Sequence, residues 1–481
     1  MVEQVDVALP SLNPLWARTL RVALLAISDL FGLLLAGLLA YLLWAKPVRG
    51  QSADLYLGLA PLFALFLAGY LAADLYPGLG LGPVETLRRS SYVTGFGFLV
   101  LSSITFAVKL PQLYSRMTFG IGLLLGLILV PACRALMLRA VSGRSWWREP
   151  VVVIGARPLV ARTILSLEEA EQRDYRPIAV IDPGWSEPPG SKPGRIENVE
   201  IMGGLEAASE LARQGVQVAI LANETLPAEA TLDVLQKHFY RVVTFREYEH
   251  LPVEGAQLRN LGGVLTIEYT SSLLRPHNRF AKRLLDLVAS SLGLILAAPV
   301  VLLAAVLVRL VSRGWPLFSQ ERSGRGGRTF GVLKIRTMQV DAERLLEEHL
   351  AGHPDQQQEW NRSFKLRDDP RLVPLVGRLL RRFSLDELPQ LFNVWKGDMS
   401  LVGPRPFPGY HLSSFAPDFL ELRQRMRPGI TGLWQVMVRS DGSVEEQQSF
   451  DTYYLRNWSV WLDLYILGRT LGAVLRGKGA Y

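Results

Sequence analysis

Two adjacent carboxylates, Asp386 and Glu387, stand in a basic segment, R-R-F-S-L-D-E-L-P-Q-L over residues 381–391. Ser384 and Glu387 fit a capping box, in which two side chains bond to the free backbone amides at the start of a helix. A carboxylate in the first helical turn is stabilised by the positive end of the helix dipole. Two arginines also lie four and five residues before Asp386. Both effects are expected to keep a carboxylate ionised, as a nucleophile or a metal ligand requires.

Arginine and lysine residues recur beside turns and strands in the same half of the chain. Arg405 lies between two prolines, in G-P-R-P, and such a turn is stiff and extended. A rigidly held guanidinium is suited to bidentate binding of phosphate. The segment Thr329–Ile335 alternates like a strand after a Gly326-Gly327 turn, and it leads into K-I-R-T-M. These residues favour a site for a phosphate-bearing substrate.

Several ordered motifs in this half resemble those of the bacterial sugar transferase family. They are K-I-R-T-M, S-L-D-E-L-P-Q-L, N-V-W-K-G-D-M-S-L-V-G-P-R-P and R-P-G-I-T-G-L-W-Q-V, within residues 279–481. Members of the monotopic-type branch are phosphoglycosyl transferases that begin glycan assembly on undecaprenyl phosphate. The large subgroup adds membrane spans and an α/β domain. The resemblance therefore implies the first membrane step of O-antigen, capsule or exopolysaccharide synthesis.

The resemblance also implies a two-step mechanism and a set of site residues. Asp386 would attack the sugar-bearing phosphorus of a UDP-hexose, with galactose or glucose as the sugar, and would release UMP. Undecaprenyl phosphate would then take the sugar-phosphate from the aspartyl enzyme. Glu387 would hold Mg²⁺ together with Asp386, and Arg381 matches the phosphate-contacting arginine of the family. Further diphosphate and uridine contacts are expected from four basic residues: Lys334, Arg336, Arg405 and Arg427.

A long apolar run precedes these motifs and is predicted to hold them at the membrane. Residues 284–308 are nearly all apolar and long enough to cross a bilayer. Pro299 lies near the middle, where proline kinks or breaks a helix, and both flanks are basic. We therefore expect a re-entrant helix that breaks at Pro299 and returns to the same side. The alternative is an ordinary fifth span with a tolerated kink.

Four apolar runs near the start predict a transmembrane bundle over residues 1–145. The third of these runs is the weakest by length, and the four are Leu20–Trp44, Leu55–Ala73, Tyr92–Val108 and Phe119–Leu138. The placement of arginine and lysine favours both ends of the bundle in the cytoplasm. Asp29 lies inside the first run, where an acid is either functional or paired with Arg21.

Residues 146–270 alternate between β-branched runs and helical patterns. The apolar runs at 150–155, 177–181, 217–221 and 240–244 predict a parallel, Rossmann-like sheet. The first strand–helix turn keeps only Gly155 of the three glycines that a dinucleotide site uses. A scaffold or dimerisation role is favoured over cofactor binding.

The composition agrees with a membrane enzyme acting on phosphates. The 481 residues are 49% hydrophobic with a net charge of +8, and the single cysteine, Cys133, excludes an intrachain disulfide and a cysteine metal cluster. We expect an α/β membrane protein of the bacterial inner membrane with its catalytic domain, residues 279–481, in the cytoplasm. The expected partners are UDP-hexose, undecaprenyl phosphate, membrane lipid and a second copy of the chain, but no nucleic acid. The alternative function is a non-catalytic scaffold of a polysaccharide assembly complex.

Overall fold

A computed structural model describes most of the chain, and the chain divides into two compact units. The units are Met1–Glu249 and His250–Tyr481. The described residues are 14–107, 114–169, 174–184, 194–223, 229–245, 256–261, 264–269, 275–352, 357, 371–412, 415–438 and 444–476. The predicted boundaries at 145 and 270 stay predictions.

The first unit begins with apolar helices that pack closely on one another. Gly32 lies where a Cβ would be 2.9 Å from the Val130 Cα, so two helix backbones approach each other closely at this point. The helices are α1 (Pro14–Ala40), α2 (Lys46–Arg49), α3 (Ala53–Leu57), α4 (Phe63–Ala72), α5 (Pro83–Ala107) and α6 (Arg116–Val141).

Four helical stretches in the described residues are long and apolar enough to cross a membrane. They are Trp16–Arg49, Ala53–Ala72, Arg116–Val141 and Pro276–Val311. Three of them correspond to the first, second and fourth predicted runs, and the last contains the fifth. Residues 92–107 of the third predicted run lie in α5, and Val108 lies outside the described residues; this 25-residue helix is not one of the four. Its first turns carry Glu85, Arg88 and Arg89, which makes this helix more polar than its neighbours.

Buried charges connect these helices to each other and to the first strand. Asp29 pairs with Arg134 at 3.1 Å, and the Tyr76 hydroxyl donates to it at 2.8 Å. The expected pairing of Asp29 with Arg21 is therefore wrong. Arg21 instead pairs with Glu149 at 3.3 Å. Trp147 lies in the same buried apolar cluster as residues of α1, α4 and α6.

A six-stranded sheet follows within the first unit. Its strand order is β3-β4-β2-β1-β5-β6, and all neighbouring pairs are parallel except β3 with β4. The strands are β1 (Glu149–Gly155), β2 (Tyr175–Ile181), β3 (Arg195–Ile196), β4 (Val199–Ile201), β5 (Val218–Ala222) and β6 (Arg241–Phe245). Predicted strands at 150–155, 177–181, 217–221 and 240–244 are confirmed as β1, β2, β5 and β6.

Helices cover both faces of this sheet, which explains why its central strands are continuously apolar. Val160 and Ile164 of α7 (Arg157–Glu169) pack in one buried cluster with Val153 of β1. Leu211 of α8 (Ala208–Arg213) and Leu235 of α9 (Glu229–His238) pack in another cluster, with Val152 and Ile154.

Gly155 ends β1 with a φ of +150°, and a Cβ there would collide with the Ala222 carbonyl of β5. The lone glycine at this turn is thus required by the close packing of two strands.

The second unit combines one long helix with short strands and helices. Strands β7 (Ala256–Leu261) and β8 (Val264–Tyr269) form an antiparallel hairpin, as do β9 (Leu317–Ser323) and β10 (Thr329–Ile335). The predicted Gly326-Gly327 turn joins β9 to β10 and takes positive φ at both glycines. Strands β11 (Ser400–Val402) and β12 (Gly429–Thr431) pair in parallel.

The second unit also contains helices. They are α10 (Pro276–Val311), α11 (Ala342–Gly352), α12 (Val376–Arg382), α13 (Gln390–Lys396), α14 (Gly409–Leu412), α15 (Pro417–Gln424), α16 (Leu433–Met437), α17 (Val444–Arg456) and α18 (Val460–Arg476). Helix α10 contains the predicted membrane run and is helical on both sides of Pro299, so a bend at that residue stays a prediction.

Candidate active site

The two carboxylates lie on a short 3-10 turn, Leu385–Glu387, between α12 and α13. Ser384 precedes this turn in the left-handed conformation, with φ +53°, and its side chain caps no backbone amide. The predicted capping box is therefore wrong. The physical reason is that Glu387 has stronger partners elsewhere, because a cationic side chain from β10 binds its carboxylate.

Glu387 is held by two cations from distant parts of the sequence. The Lys334 Nζ donates to its carboxylate at 2.9 Å, and the Arg405 Nη2 lies 3.7 Å from the same oxygen. Burial pushes the pKa of Glu387 upward. The charges of Arg405 and Lys334, with hydrogen bonds from Lys334 and Gln390, outweigh burial and hold this pKa below its ordinary value. Glu387 therefore stays ionised, as expected.

Asp386 has the opposite electrostatic balance. Burial and the neighbouring charge of Glu387 raise the pKa of Asp386 to about 6, although Lys334 and Arg381 oppose the rise. Nearby arginines and the helix end were expected to keep this carboxylate ionised, but burial has the larger effect on its pKa. At neutral pH most of the carboxylate is still ionised, and it is more basic than an ordinary aspartate. Such a group is suited to nucleophilic attack.

The remaining predicted site residues fall into two groups. Arg381 lies near Asp386, and its Nε donates to the buried Thr337 hydroxyl at 3.0 Å. Arg405 has a side chain 40% exposed, which leaves its guanidinium accessible beside Glu387. Lys334, Arg381 and Arg405 are thus gathered around the two carboxylates.

Arg336 and Arg427 have other surroundings. Arg336 donates to the carbonyl of Ser312 at 3.3 Å, just after α10. Arg427 lies near the charges of Arg283, Arg325 and Asp398. Burial lowers the pKa of Arg427, and the positive charges of the two neighbouring arginines lower it further. The structure does not assign either residue to Glu387.

Asn393 is a site-building residue that sequence reasoning missed. Its side chain accepts a hydrogen bond from the Leu333 amide at 3.0 Å and donates to the Gly331 carbonyl at 2.8 Å. This buried side chain fixes α13 against β10, which carries Lys334 next to Leu333. A polar residue inside the largely apolar run L-F-N-V-W was the signal that could have identified it.

The two carboxylates offer oxygen ligands of the kind that Mg²⁺ binds. Among the described residues, no cluster of three or more His, Cys, Asp or Glu side chains could hold a metal ion. Mg²⁺ commonly binds one or two carboxylates and completes its coordination with water and substrate phosphates. Burial and the charge of Glu387 raise the pKa of Asp386, and these two carboxylates would hold a divalent cation, which would supply positive charge there.

Comparison with known proteins points to one family. Residues 277–477 match the family described as bacterial sugar transferase. The chain is 35% identical to an undecaprenyl-phosphate galactose phosphotransferase of Salmonella typhimurium, over 74% of each chain. It is 34% identical to a UDP-galactose-lipid carrier transferase of Erwinia amylovora, over 76% of each chain. It is 40% identical to a UDP-glucose:undecaprenyl-phosphate glucose-1-phosphate transferase of Caulobacter vibrioides, over 45% of this chain and 78% of the relative.

Proposed function

Because the chain belongs to the bacterial sugar transferase family and is an enzyme that transfers phosphate-linked groups, we propose that it moves hexose-1-phosphate from a UDP-hexose to undecaprenyl phosphate. The products are undecaprenyl-diphosphate-hexose and UMP. The names of the relatives support galactose or glucose as the hexose. The observation that carries the proposal is the gathering of Lys334, Arg381 and Arg405 around Asp386 and Glu387.

The reaction proceeds in two displacements at phosphorus. An ionised Asp386 oxygen attacks the phosphorus that bears the sugar, and the bond from that phosphorus to the UMP oxygen breaks. A phosphate oxygen of undecaprenyl phosphate then attacks the same phosphorus and releases Asp386. Lys334 and Arg405 keep Glu387 charged and in place, and the accessible guanidinium of Arg405 binds diphosphate oxygens. Asp386 and Glu387 would hold Mg²⁺, which when bound neutralises charge on the diphosphate.

We also propose that α10 bends at Pro299 and returns to the membrane surface that it leaves. The Nη1 of Arg283 donates to the Val394 carbonyl at 2.7 Å, and Val308 lies in a buried cluster with Ile335 and Leu380. These two contact points lie close together in the fold. Val394 follows Asn393, whose side chain is hydrogen-bonded to the amide of Leu333, and Leu333 is two residues from Ile335. Both halves of α10 are therefore fixed to neighbouring parts of one small domain.

A straight helix would separate these two fixed points. The 25 residue steps from Arg283 to Val308 span about 38 Å in an unbent α-helix. Around Pro299, three side chains are largely exposed: Ile295 at 71%, Leu296 at 76% and Leu302 at 67%. An apolar tip between two basic ends is suited to dipping into one leaflet. This geometry brings the site to the depth of a lipid phosphate, on the cytoplasmic face of the inner membrane, where UDP-hexose is present.

We propose that the six-stranded sheet is Rossmann-like, which its parallel strands with helices on both faces support. We propose that it is a scaffold in a homodimer, because its only glycine at the first turn is used for strand packing. This assignment gives the sheet no part in the chemistry.

The test is the release of UMP by the purified full chain. The assay contains UDP-galactose or UDP-glucose, Mg²⁺ and undecaprenyl phosphate, and compares wild type with Asp386→Asn. The matched control is Asp418→Asn, which changes an exposed aspartate of the same unit. We expect UMP from wild type and the control, and a loss of at least about 1,000-fold in Asp386→Asn. Equal rates for all three proteins would refute the role of Asp386.

A second measurement separates two displacements from direct transfer. Labelled UMP exchanges into UDP-hexose without lipid only when a covalent intermediate forms. No exchange, with full activity in the presence of lipid, would mean that Asp386 and Glu387 hold metal alone. No UMP from wild type with either sugar would favour a different nucleotide-sugar or a scaffold.

A further inference from the structure

We propose that Arg423 and Asp451 are positioning residues that hold the Pro404–Pro406 turn, so that the Arg405 guanidinium meets Glu387. The inference rests on the proposed transferase function. The inference goes beyond that function because it assigns a role to two buried residues that lie behind the site and touch neither carboxylate.

The turn that carries Arg405 has few backbone donors. Prolines at 404 and 406 have no N–H, so they cannot form the backbone hydrogen bonds that usually hold a loop. The carbonyl of Pro404 accepts from the Gly429 amide at 2.9 Å, and the carbonyl of Phe407 accepts from the Ser323 amide at 3.1 Å. Between these two points, the Nη2 of Arg423 donates to the carbonyl of Arg405.

Arg423 is held in a place that few side chains could occupy. It is buried in α15, and its guanidinium carbon lies 4.4 Å from the ring centre of Phe407 and 5.9 Å from that of Phe415. Cation–π contacts of this kind favour arginine, whose flat guanidinium stacks on a ring and still donates hydrogen bonds from its edge. A lysine would keep the charge but would lose both the stacking and the fixed donor direction.

Asp451 of α17 completes the arrangement from the other side. Its Oδ2 lies 3.9 Å from the Nε of Arg423, and both side chains are less than one-tenth exposed. Burying two opposite charges adds little to stability, because the cost of desolvation offsets their attraction. The buried pair is therefore better explained by the directional donor that Arg423 presents to Arg405 than by stability.

Arg423 affects Glu387 through Arg405. The Arg405 Nη2 is 3.7 Å from the Glu387 carboxylate, so a small shift of the turn would remove this contact. Misplacement of a catalytic group by about 1 Å can cost on the order of 100-fold in rate.

The experiment compares Arg423→Lys with Arg425→Lys in the full chain. Arg425 is the matched control, since it lies two residues away and pairs with Glu421 at 2.9 Å with both side chains more than half exposed. We expect Arg423→Lys to lower kcat/KM for UMP release by about 10-fold or more, and Arg425→Lys to change it by less than about 3-fold.

A double variant shows whether Arg423 acts through Arg405. The variants Arg405→Ala and Arg405→Ala/Arg423→Lys are expected to have the same kcat/KM within about 2-fold, because the second change has nothing left to position. Losses that multiply would overturn the inference, as would equal activity of Arg423→Lys and Arg425→Lys. Asp451→Asn keeps Arg423 and gives a second test if Arg423→Lys does not fold. Its loss is expected to be smaller and also to disappear in the Arg405→Ala background.

Amide hydrogen exchange over residues 403–410 provides a readout that needs no activity. We expect faster exchange there in Arg423→Lys than in wild type or Arg425→Lys. If wild type releases no UMP from any donor, the transferase proposal fails, and the exchange result still decides this inference. Unchanged exchange would overturn it.

Discussion

Replacing Lys334 by methionine removes the cation of the shorter of the two ion pairs at Glu387 and keeps an unbranched side chain. The Lys334 Nζ is 2.9 Å from the carboxylate, and the two side chains are 24% and 23% exposed. Breaking a fully buried pair costs about 3–5 kcal/mol, whereas exposed pairs contribute about 0–1 kcal/mol. For a pair of intermediate exposure we expect a cost of about 2 kcal/mol.

If that cost appears in the transition state, kcat/KM falls about 30-fold. The assay is UMP release by the full chain at saturating lipid, with Lys334→Arg expected to retain more activity than Lys334→Met because it keeps the charge. Lys396→Met is the control. Lys396 also pairs with a carboxylate, Asp398 at 3.0 Å, but its side chain is 62% exposed. We expect it to change kcat/KM by less than about 3-fold.

A double variant with Glu387→Gln distinguishes two roles of Lys334. If Lys334 acts through Glu387, the loss in Lys334→Met/Glu387→Gln is close to that of Glu387→Gln alone. If Lys334 also binds the substrate, the losses multiply. A Lys334→Met enzyme within about 3-fold of wild type, with Asp386→Asn inactive, would refute the assignment of Lys334 to the site.

Three further predictions concern stability, each measured by thermal unfolding of the full chain. Burial raises the pKa of Asp174 to about 6, above its unfolded value of about 3.9. The folded protein therefore holds this proton more tightly than the unfolded chain, and the contribution of Asp174 to the free energy of unfolding falls as pH rises from about 4 through 6. Asp174→Asn is expected to remove that component, and parallel pH profiles of the two proteins would contradict this. Asn393→Leu leaves a strand amide and carbonyl unpaired at about 1–3 kcal/mol each and lowers Tm, so an unchanged Tm would refute its bridging role. Gly155→Ala is expected to cost about 1–3 kcal/mol by overpacking, and Gly143→Ala, where a Cβ meets no atom within 4 Å, is expected to leave Tm unchanged.

Local patterns were sufficient where the structure depends on local chemistry. The β-branched run before Gly155 became β1, and Gly326-Gly327 became the turn between β9 and β10. The basic motif that holds Asp386 and Glu387 also contains Arg381, which lies near Asp386 in the structure. These features depend on neighbouring residues, whose types the sequence displays directly.

Partners far apart in the chain were beyond such patterns. Glu387 could be matched to Ser384 by a local rule, but its carboxylate binds Lys334, which lies 53 residues away. In the same way Asp29 pairs with Arg134, and not with Arg21 two turns away. The raised pKa of Asp386 was not foreseen for a related reason, because burial is produced by the whole fold.

The contact between Arg21 and Glu149 affects how segments of this chain could be exchanged with those of a relative. Trp147 belongs to the apolar cluster of the membrane helices, and Glu149 is the first residue of β1, so the helices and the sheet share residues at their junction. A graft that begins near residue 146 would separate Arg21 from its carboxylate and expose an indole. A chimera that transfers residues 1–249 together would preserve both, and is the smaller disturbance although it moves more of the chain.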